Sequence, residues 1–271
     1  MTAPVIVPGD DRSPVLLHVP HAGTEIPAWV RDRLLLDDAQ LAAEQAALTD
    51  HRTDELAAAA AAAARVRPFL LVNPVSRFVV DVERFPDERE EMAAVGMAAV
   101  YTHGTRGQRI RAADPEHHAA LLATHYEPWA AAVHDAVAGR LAATGRAVLL
   151  DVHSYPSAAL PYELHGAAPR PPVCLGTDPF HTPPELVAAA RAAFGDRVAL
   201  DVPFSGVYVP LAHLHREPRL TALMIEIRRD GYLAEPAGPP TDGFGVLADA
   251  ITRLIDEVTA LTPLVDRGTA G

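Results

Sequence analysis

Short apolar runs alternate along this chain with longer stretches of helical period. The runs "PVLLHVP" (14–20), "FLLVN" (69–73), "RFVVDV" (77–82), "AVLLDVH" (147–153), "VCLGT" (173–177) and "TALMIEIR" (221–228) are too short for helices and apolar enough to be buried on both faces, which predicts strands. Between them, 37–66 ("DDAQLAAEQAALTDHRTDELAAAAAAAARV") and 114–145 ("DPEHHAALLATHYEPWAAAVHDAVAGRLAATG") each read as one helix. The segments 182–195 ("TPPELVAAARAAFG") and 242–261 ("DGFGVLADAITRLIDEVTAL") read as two more. Gly145 and Gly195 supply C-terminal stops, and Thr182 followed by prolines suggests a capped start. Strands alternating with helices predict an α/β layered fold with a largely parallel central sheet, and sites in such folds lie at the carboxyl ends of strands. No internal repeat stands out, and the proline-rich pieces "AAPRPPV" and "LAEPAGPPTDG" read as loops because regular pattern resumes on each side. One domain over 1–271 is expected.

The pattern also delivers polar residues to strand ends. "LLHVPHAGTEIP" brings His21 to the end of one run, and "LLDVHSYP" brings His153 to the end of another. Either histidine alone could be a structural residue bonded to a backbone carbonyl where the strand leaves the sheet. Two of them invite a metal, because catalytic zinc sites use three protein ligands and leave a fourth position for water. The third ligand should be a carboxylate or a histidine. Glu25 is near His21 in sequence, while Asp50 and Asp54 are four apart on the helix predicted over 37–66 and would share its face. Glu226 follows three large apolar residues in "LMIEI", where an ionised carboxylate needs a cation or an arginine to offset its desolvation. A pairing with Arg228 or Arg77 would satisfy it structurally. "SRFVVDVERF" mixes Arg77, Asp81, Glu83 and Arg84 into a predicted strand, which suits either buried ion pairs or two-pronged recognition of a substrate carboxylate.

Composition narrows the partners. With 49% hydrophobic and 21% charged residues the chain is ordinary globular material. A net charge of −12, with every basic residue an arginine, argues against nucleic acid and anionic membrane surfaces but allows a small anionic substrate held by local arginines. The single cysteine, Cys174, excludes an intramolecular disulfide. No run reaches the roughly 18 apolar residues of a membrane helix, and "MTAPVIVPGDDRSP" has no signal-peptide pattern, so a cytoplasmic protein is expected.

The motifs "VPHAGTEIP", "TDHRTDEL", "SRFVVDVERF", "LLDVHSYP" and "LMIEIRRDGYL" resemble, in order and spacing, those of the N-formylglutamate amidohydrolase family. That family's pattern includes a VPHSG-type opening, a D-x-x-x-D helix, an SRxVxDLNR strand and a D-x-HS strand end. The resemblance extends from about residue 14 to 233. It implies a three-layer sandwich with a mixed, largely parallel sheet, similar to the zinc carboxypeptidases. It also implies a metal-dependent amidohydrolase releasing formate and an amino acid from an N-formyl or other N-acyl amino acid such as N-formyl-glutamate.

Carried over by position, His21 and His153 become ligands of one divalent metal, most simply Zn2+, with Asp54 as the third ligand and Glu25 as its alternative. Glu226 becomes the general base, Arg77 the oxyanion stabiliser and Arg84 the anchor of the substrate carboxylate. Asp151 would orient the His153 imidazole, and Tyr208 would close over the substrate or belong to the core. Two departures stand out: Glu83 occupies the asparagine position of the asparagine-arginine pair, and His21 and Glu25 are separated by three residues where carboxypeptidases have two. The expected partner is a small carboxylated N-acyl amino acid, with a homo-oligomer left open. A non-catalytic metabolite-binding protein on the same scaffold is the competing reading.

Overall fold

The apolar runs become the centre of one sheet. A computed structural model describes residues 3–164, 166 and 168–261, and among them seven strands are ordered β1-β3-β2-β4-β7-β5-β6. The strands are β1 (Val5–Val7), β2 (Val15–Val19), β3 (Phe69–Val72), β4 (Ala147–Tyr155), β5 (Val173–Gly176), β6 (Val198–Leu200) and β7 (Leu220–Arg228). The pairs β3–β2, β2–β4, β4–β7 and β5–β6 are parallel, and β1–β3 and β7–β5 are antiparallel. The mixed, largely parallel sheet expected from the alternation is therefore present. Strands β1 and β6 are short additions at its two edges.

Helices cover both faces, which is why the central strands carry apolar residues at consecutive positions. On one side Leu17, Leu150 and Ile225 pack against α3 (Thr53–Ala63), α6 (Pro184–Phe194) and α7 (Gly243–Ala260), through residues such as Leu56, Leu186 and Ile251. On the other, Leu16, Leu149 and Ala222 meet Trp129, Val133 and Val137 of α5 (Glu127–Thr144). Three layers follow from this alternation. The shorter helices are α1 (Ala28–Arg31), α2 (Asp38–Leu48) and α4 (Pro115–Leu121), and a π-helical turn over Leu122–Tyr126 joins α4 to α5. Among the described residues no helix is long and apolar enough to cross a membrane.

Three local expectations are corrected. The helix expected over 37–66 starts at its Asp37 capping box but breaks into α2 and α3. Thr49 turns extended, the Asp50 N–H donates to the His21 carbonyl at 3.0 Å, and Arg52 adopts a left-handed conformation with φ 63°. Asp50 and Asp54 therefore do not share a helical face. The run 77–82 is a turn and not a strand: the Val79 N–H donates to the Ser76 carbonyl, and Phe78, Val79, Val80 and Val82 are apolar because the turn is buried. Thr182 does not cap α6, whose N-cap is Pro183. Its hydroxyl accepts from the Asp178 N–H and donates to the Ala222 carbonyl at 2.7 Å, tying the loop to β7.

Gly23 fixes how the chain leaves β2 just after His21. A Cβ at this position would lie 2.3 Å from the Pro74 carbonyl carbon and 2.4 Å from the Asn73 oxygen, both backbone atoms. Gly23→Ala is expected to cost about 1–3 kcal/mol as the two segments are forced apart, read as a lowered denaturation midpoint with an unchanged slope.

Candidate active site

The site lies where β2, β4 and β7 end at their carboxyl termini. Asp151 and His153 alternate outward from β4 on the face that α5 covers lower down. Their parallel neighbours in register are His18 on β2 beside Asp151 and Glu226 on β7 beside His153. His21 follows β2 in the turn set by Gly23. The break between α2 and α3 delivers Asp50, because the same Asp50 N–H bond that interrupts the helix ties its backbone to His21. Turn 76–82 brings Asp81 and Glu83 from the opposite side.

Their donor atoms converge. His21 Nδ1 and His153 Nδ1 are 3.2 Å apart, and Asp50 Oδ2 is 3.0 Å from His153 Nδ1 and 3.8 Å from His21 Nδ1. The other edge of the His21 ring donates through Nε2 to Asp81 Oδ1 at 2.9 Å, which leaves the lone pair on Nδ1. His153 Nε2 lies 2.9 Å from Asp151 Oδ1 and 3.3 Å from Glu83 Oε2, as ion contacts without hydrogen-bond alignment. Side chains in two groups, His21, Glu83 and His153, and His18, Glu83 and Asp151, have donor atoms close enough to hold a metal ion.

The electrostatics match a site built around positive charge. Burial opposes ionising Asp81, but Arg77, His21 and Arg84 outweigh it and hold the carboxyl well below the usual range. Glu83 is likewise held well below its usual range against burial, by His153 and His21. Burial works against charging His153, yet Asp151 and Glu83 keep it protonated well above the ordinary range. His18 follows the same logic and is raised to about 9. Glu226 differs: burial pushes its carboxyl up to about 8, with Asp50 adding to the shift and His153 opposing it, and its Oε2 has no hydrogen-bond partner.

A cavity of about 530 Å³ opens over these groups, lined by His21, His153, Glu226, Arg77, Arg84 and Tyr208 among others. Arg77 is anchored by Asp81, donating from Nε and Nη2 to Oδ2 at 3.1 and 2.9 Å. Arg84 is looser, with carboxylate oxygens of Glu90 and Asp81 at 3.5 and 3.6 Å. Tyr208 stacks on His18 with ring centres 4.7 Å apart. The structure does not bring Asp54 to the histidines: it sits half-buried in the first turn of α3, outside the cavity lining, whereas Asp50 lines the cavity with Oδ2 3.0 Å from His153 Nδ1. Glu25 is exposed, its backbone bridging to Val75, and is also outside the lining.

Two contributors were not singled out from the sequence. His18 is visible in retrospect as the polar interruption of "LLHVP". Arg229, buried, donates to the Ala47 carbonyl at 2.7 Å and Ser154 Oγ at 3.2 Å, with Nη2 3.5 Å from Asp50 Oδ1, so it steadies the ligand-type carboxylate from behind.

A family model described as N-formylglutamate amidohydrolase matches residues 13–233. No curated protein matches the chain. Among solved structures, an N-formylglutamate amidohydrolase from Ralstonia eutropha JMP134 superposes with a TM-score of 0.80 at 23% identity, covering 96% of this chain and 98% of that one. Gene product Atu2144 from Agrobacterium tumefaciens superposes with a TM-score of 0.64 at 22% identity, covering 85% of this chain and 86% of that one. At these identities the two structures support the fold.

Proposed function

Because the chain belongs to the N-formylglutamate amidohydrolase family, matched over residues 13–233, we propose that it hydrolyses the amide bond of an N-formyl or other short N-acyl amino acid with one divalent metal, Zn2+ first among the choices. The observation that carries the metal is the triangle of His21 Nδ1, His153 Nδ1 and Asp50 Oδ2, with edges of 3.2, 3.0 and 3.8 Å. Ligands about 2.0–2.2 Å from a tetrahedral zinc are about 3.3–3.6 Å from one another, so the donor set fits. Glu83 Oε2, 3.7 Å from His21 Nδ1 and 3.3 Å from His153 Nε2, is the competing third oxygen, but it meets the His153 ring on the edge away from the triangle. His21, His153 and Asp50 would hold the ion there, where it would supply Lewis-acid polarisation of the scissile carbonyl and a lowered pKa for the attacking water.

The chain's own groups supply the rest. Glu226, beside His153 in register, accepts the proton of the attacking water and returns it to the leaving nitrogen as the C–N bond breaks, giving formate and the free amine for a formyl substrate. Asp81 fixes the Arg77 plane through Nε and Nη2, and the remaining N–H groups of Arg77 face the oxyanion that develops on the carbonyl oxygen. Arg84, not locked to a carboxylate, holds that of the substrate. Metal analysis paired with formate release from N-formyl amino acids tests this. About one metal per chain is expected, with release abolished by a chelator and restored by zinc. A folded protein that takes up no metal when resupplied would overturn the reading, and metal without release would favour a binding protein.

A further inference from the structure

The cavity over the histidines is acidic, and its arginines are largely committed. Eight aspartates and glutamates line it against four arginines. Arg77 is divided between Asp81 and the oxyanion assigned to it above, and Arg89 grips Asp87 in two-pronged fashion at 2.7 and 2.6 Å. Arg229 is used on Ala47, Ser154 and Asp50. Arg84 differs, with its nearest carboxylate oxygens at 3.5 and 3.6 Å, well beyond the roughly 2.7–2.9 Å of a charge-assisted bond. Among the described residues the lining thus offers one uncommitted guanidinium, enough for one substrate carboxylate.

The rest of the wall is unsuited to a second anion. Glu83 Oε1 is buried without a hydrogen-bond partner, and Glu226 and Glu91 also face the cavity. A second carboxylate would meet these oxygens, and among the described residues no further arginine of the lining is left uncommitted to offset the repulsion. Beside the serine and tyrosine hydroxyls of the lining stands an apolar wall of Leu160, Leu164, Phe204, Val209, Leu211 and Leu214. Leu164 and Leu211 are 50% and 39% exposed, large apolar groups of the lining left open by the described residues.

We propose that the amino acid whose N-acyl derivative this site takes has an apolar side chain. The substrate then carries a single carboxylate, held by Arg84, and lays its side chain on the leucine and phenylalanine wall. Resting on the function proposed above, the inference narrows the substrate to N-formyl derivatives of the leucine, methionine or phenylalanine kind, in preference to the dianionic N-formyl-glutamate.

The test compares kcat/KM of the zinc-loaded protein for N-formyl-leucine, N-formyl-phenylalanine and N-formyl-glutamate by formate release, with the apolar substrates expected to lead by at least about tenfold. Calorimetric binding of the same compounds to Glu226→Gln gives a ranking independent of turnover and is expected to keep that order. Leu211→Arg and Leu164→Arg, each adding a cation to the wall, should narrow the ratio toward glutamate. Equal or better use of N-formyl-glutamate would overturn this inference while leaving the amidohydrolase reading intact, as would a ratio unmoved by both arginine variants. Failure of every N-formyl amino acid both to bind and to react would overturn both.

Discussion

Glu226→Gln is expected to lower kcat for amide hydrolysis by between about a hundredfold and ten-thousandfold while metal content stays unchanged. The carboxylate lies beside His153 in the β4–β7 register, lines the cavity and has a partnerless Oε2, so it is placed to act on a substrate and is not tied into a structural pair. Glutamine keeps the shape and cannot accept the proton. The pH profile carries the same signature. Without a cation, burial holds the Glu226 carboxyl near 8, and a divalent ion among the histidines favours the ionised form and draws it down. A base raised above its ordinary value is active above its pKa and fails as pH falls through it. The wild-type kcat/KM should therefore show an acidic limb centred below about 8, and the residual activity of the glutamine variant should lack that limb. Loss of metal in Glu226→Gln would instead make Glu226 a ligand and sink its assignment as the base.

Much of this site was legible because hydrophobic pattern and chemistry coincide in the parallel strands. A strand buried on both faces must be apolar throughout, so the first polar residue after it marks the point where the chain leaves the core, and His21 and His153 stand at such points. Glu226 stood out for the same reason, as a carboxylate inside an apolar run. The run 77–82 has a strand's pattern because Phe78, Val79, Val80 and Val82 are buried although they join no sheet, and burial alone leaves no period to distinguish a buried turn from a strand.

The carboxylate that reaches the histidines is hidden in the sequence for a different reason. Residues 37–66 have continuous helical composition, and the interruption at 49–52 depends on a long-range bond from the Asp50 N–H to the His21 carbonyl, which no local propensity encodes. Thr49 and Asp50 are weak helix formers that favour such exits, but tertiary contact decides between a tolerated residue and a break. Glu83 was noticed as a departure from the family pattern. Its place between His18, His21 and His153 emerges only when the turn folds onto the strand ends.

Substituting Asp50 and Asp54 in turn separates these readings most sharply. Asp50→Asn is expected to weaken zinc binding by more than about a hundredfold, exceeding the roughly 10- to 100-fold expected for Asp81→Asn, which acts only through the His21 ring. Asp54→Ala should leave affinity within experimental error of wild type, since Asp54 is remote from the donor triangle. Competition with a chromophoric chelator gives the three affinities directly. Asparagine, chosen over alanine, keeps an oxygen near the buried Arg229 guanidinium, whose Nη2 is 3.5 Å from Asp50 Oδ1, and limits the cost of leaving that charge without its neighbour. Thermal melts of the metal-free proteins then separate loss of a ligand from loss of the fold. A metal-free Asp50→Asn that melts with wild type but binds zinc a hundredfold less tightly places Asp50 in the ligand set. Retained affinity there, with loss in Asp54→Ala, would restore the helix as first read from its composition. Glu83→Gln distinguishes the remaining oxygen: Glu83 Oε2 is 3.7 Å from His21 Nδ1 and 3.3 Å from His153 Nε2, so retained zinc affinity in this variant leaves Asp50 as the third ligand, and a loss matching that of Asp50→Asn would put Glu83 in its place.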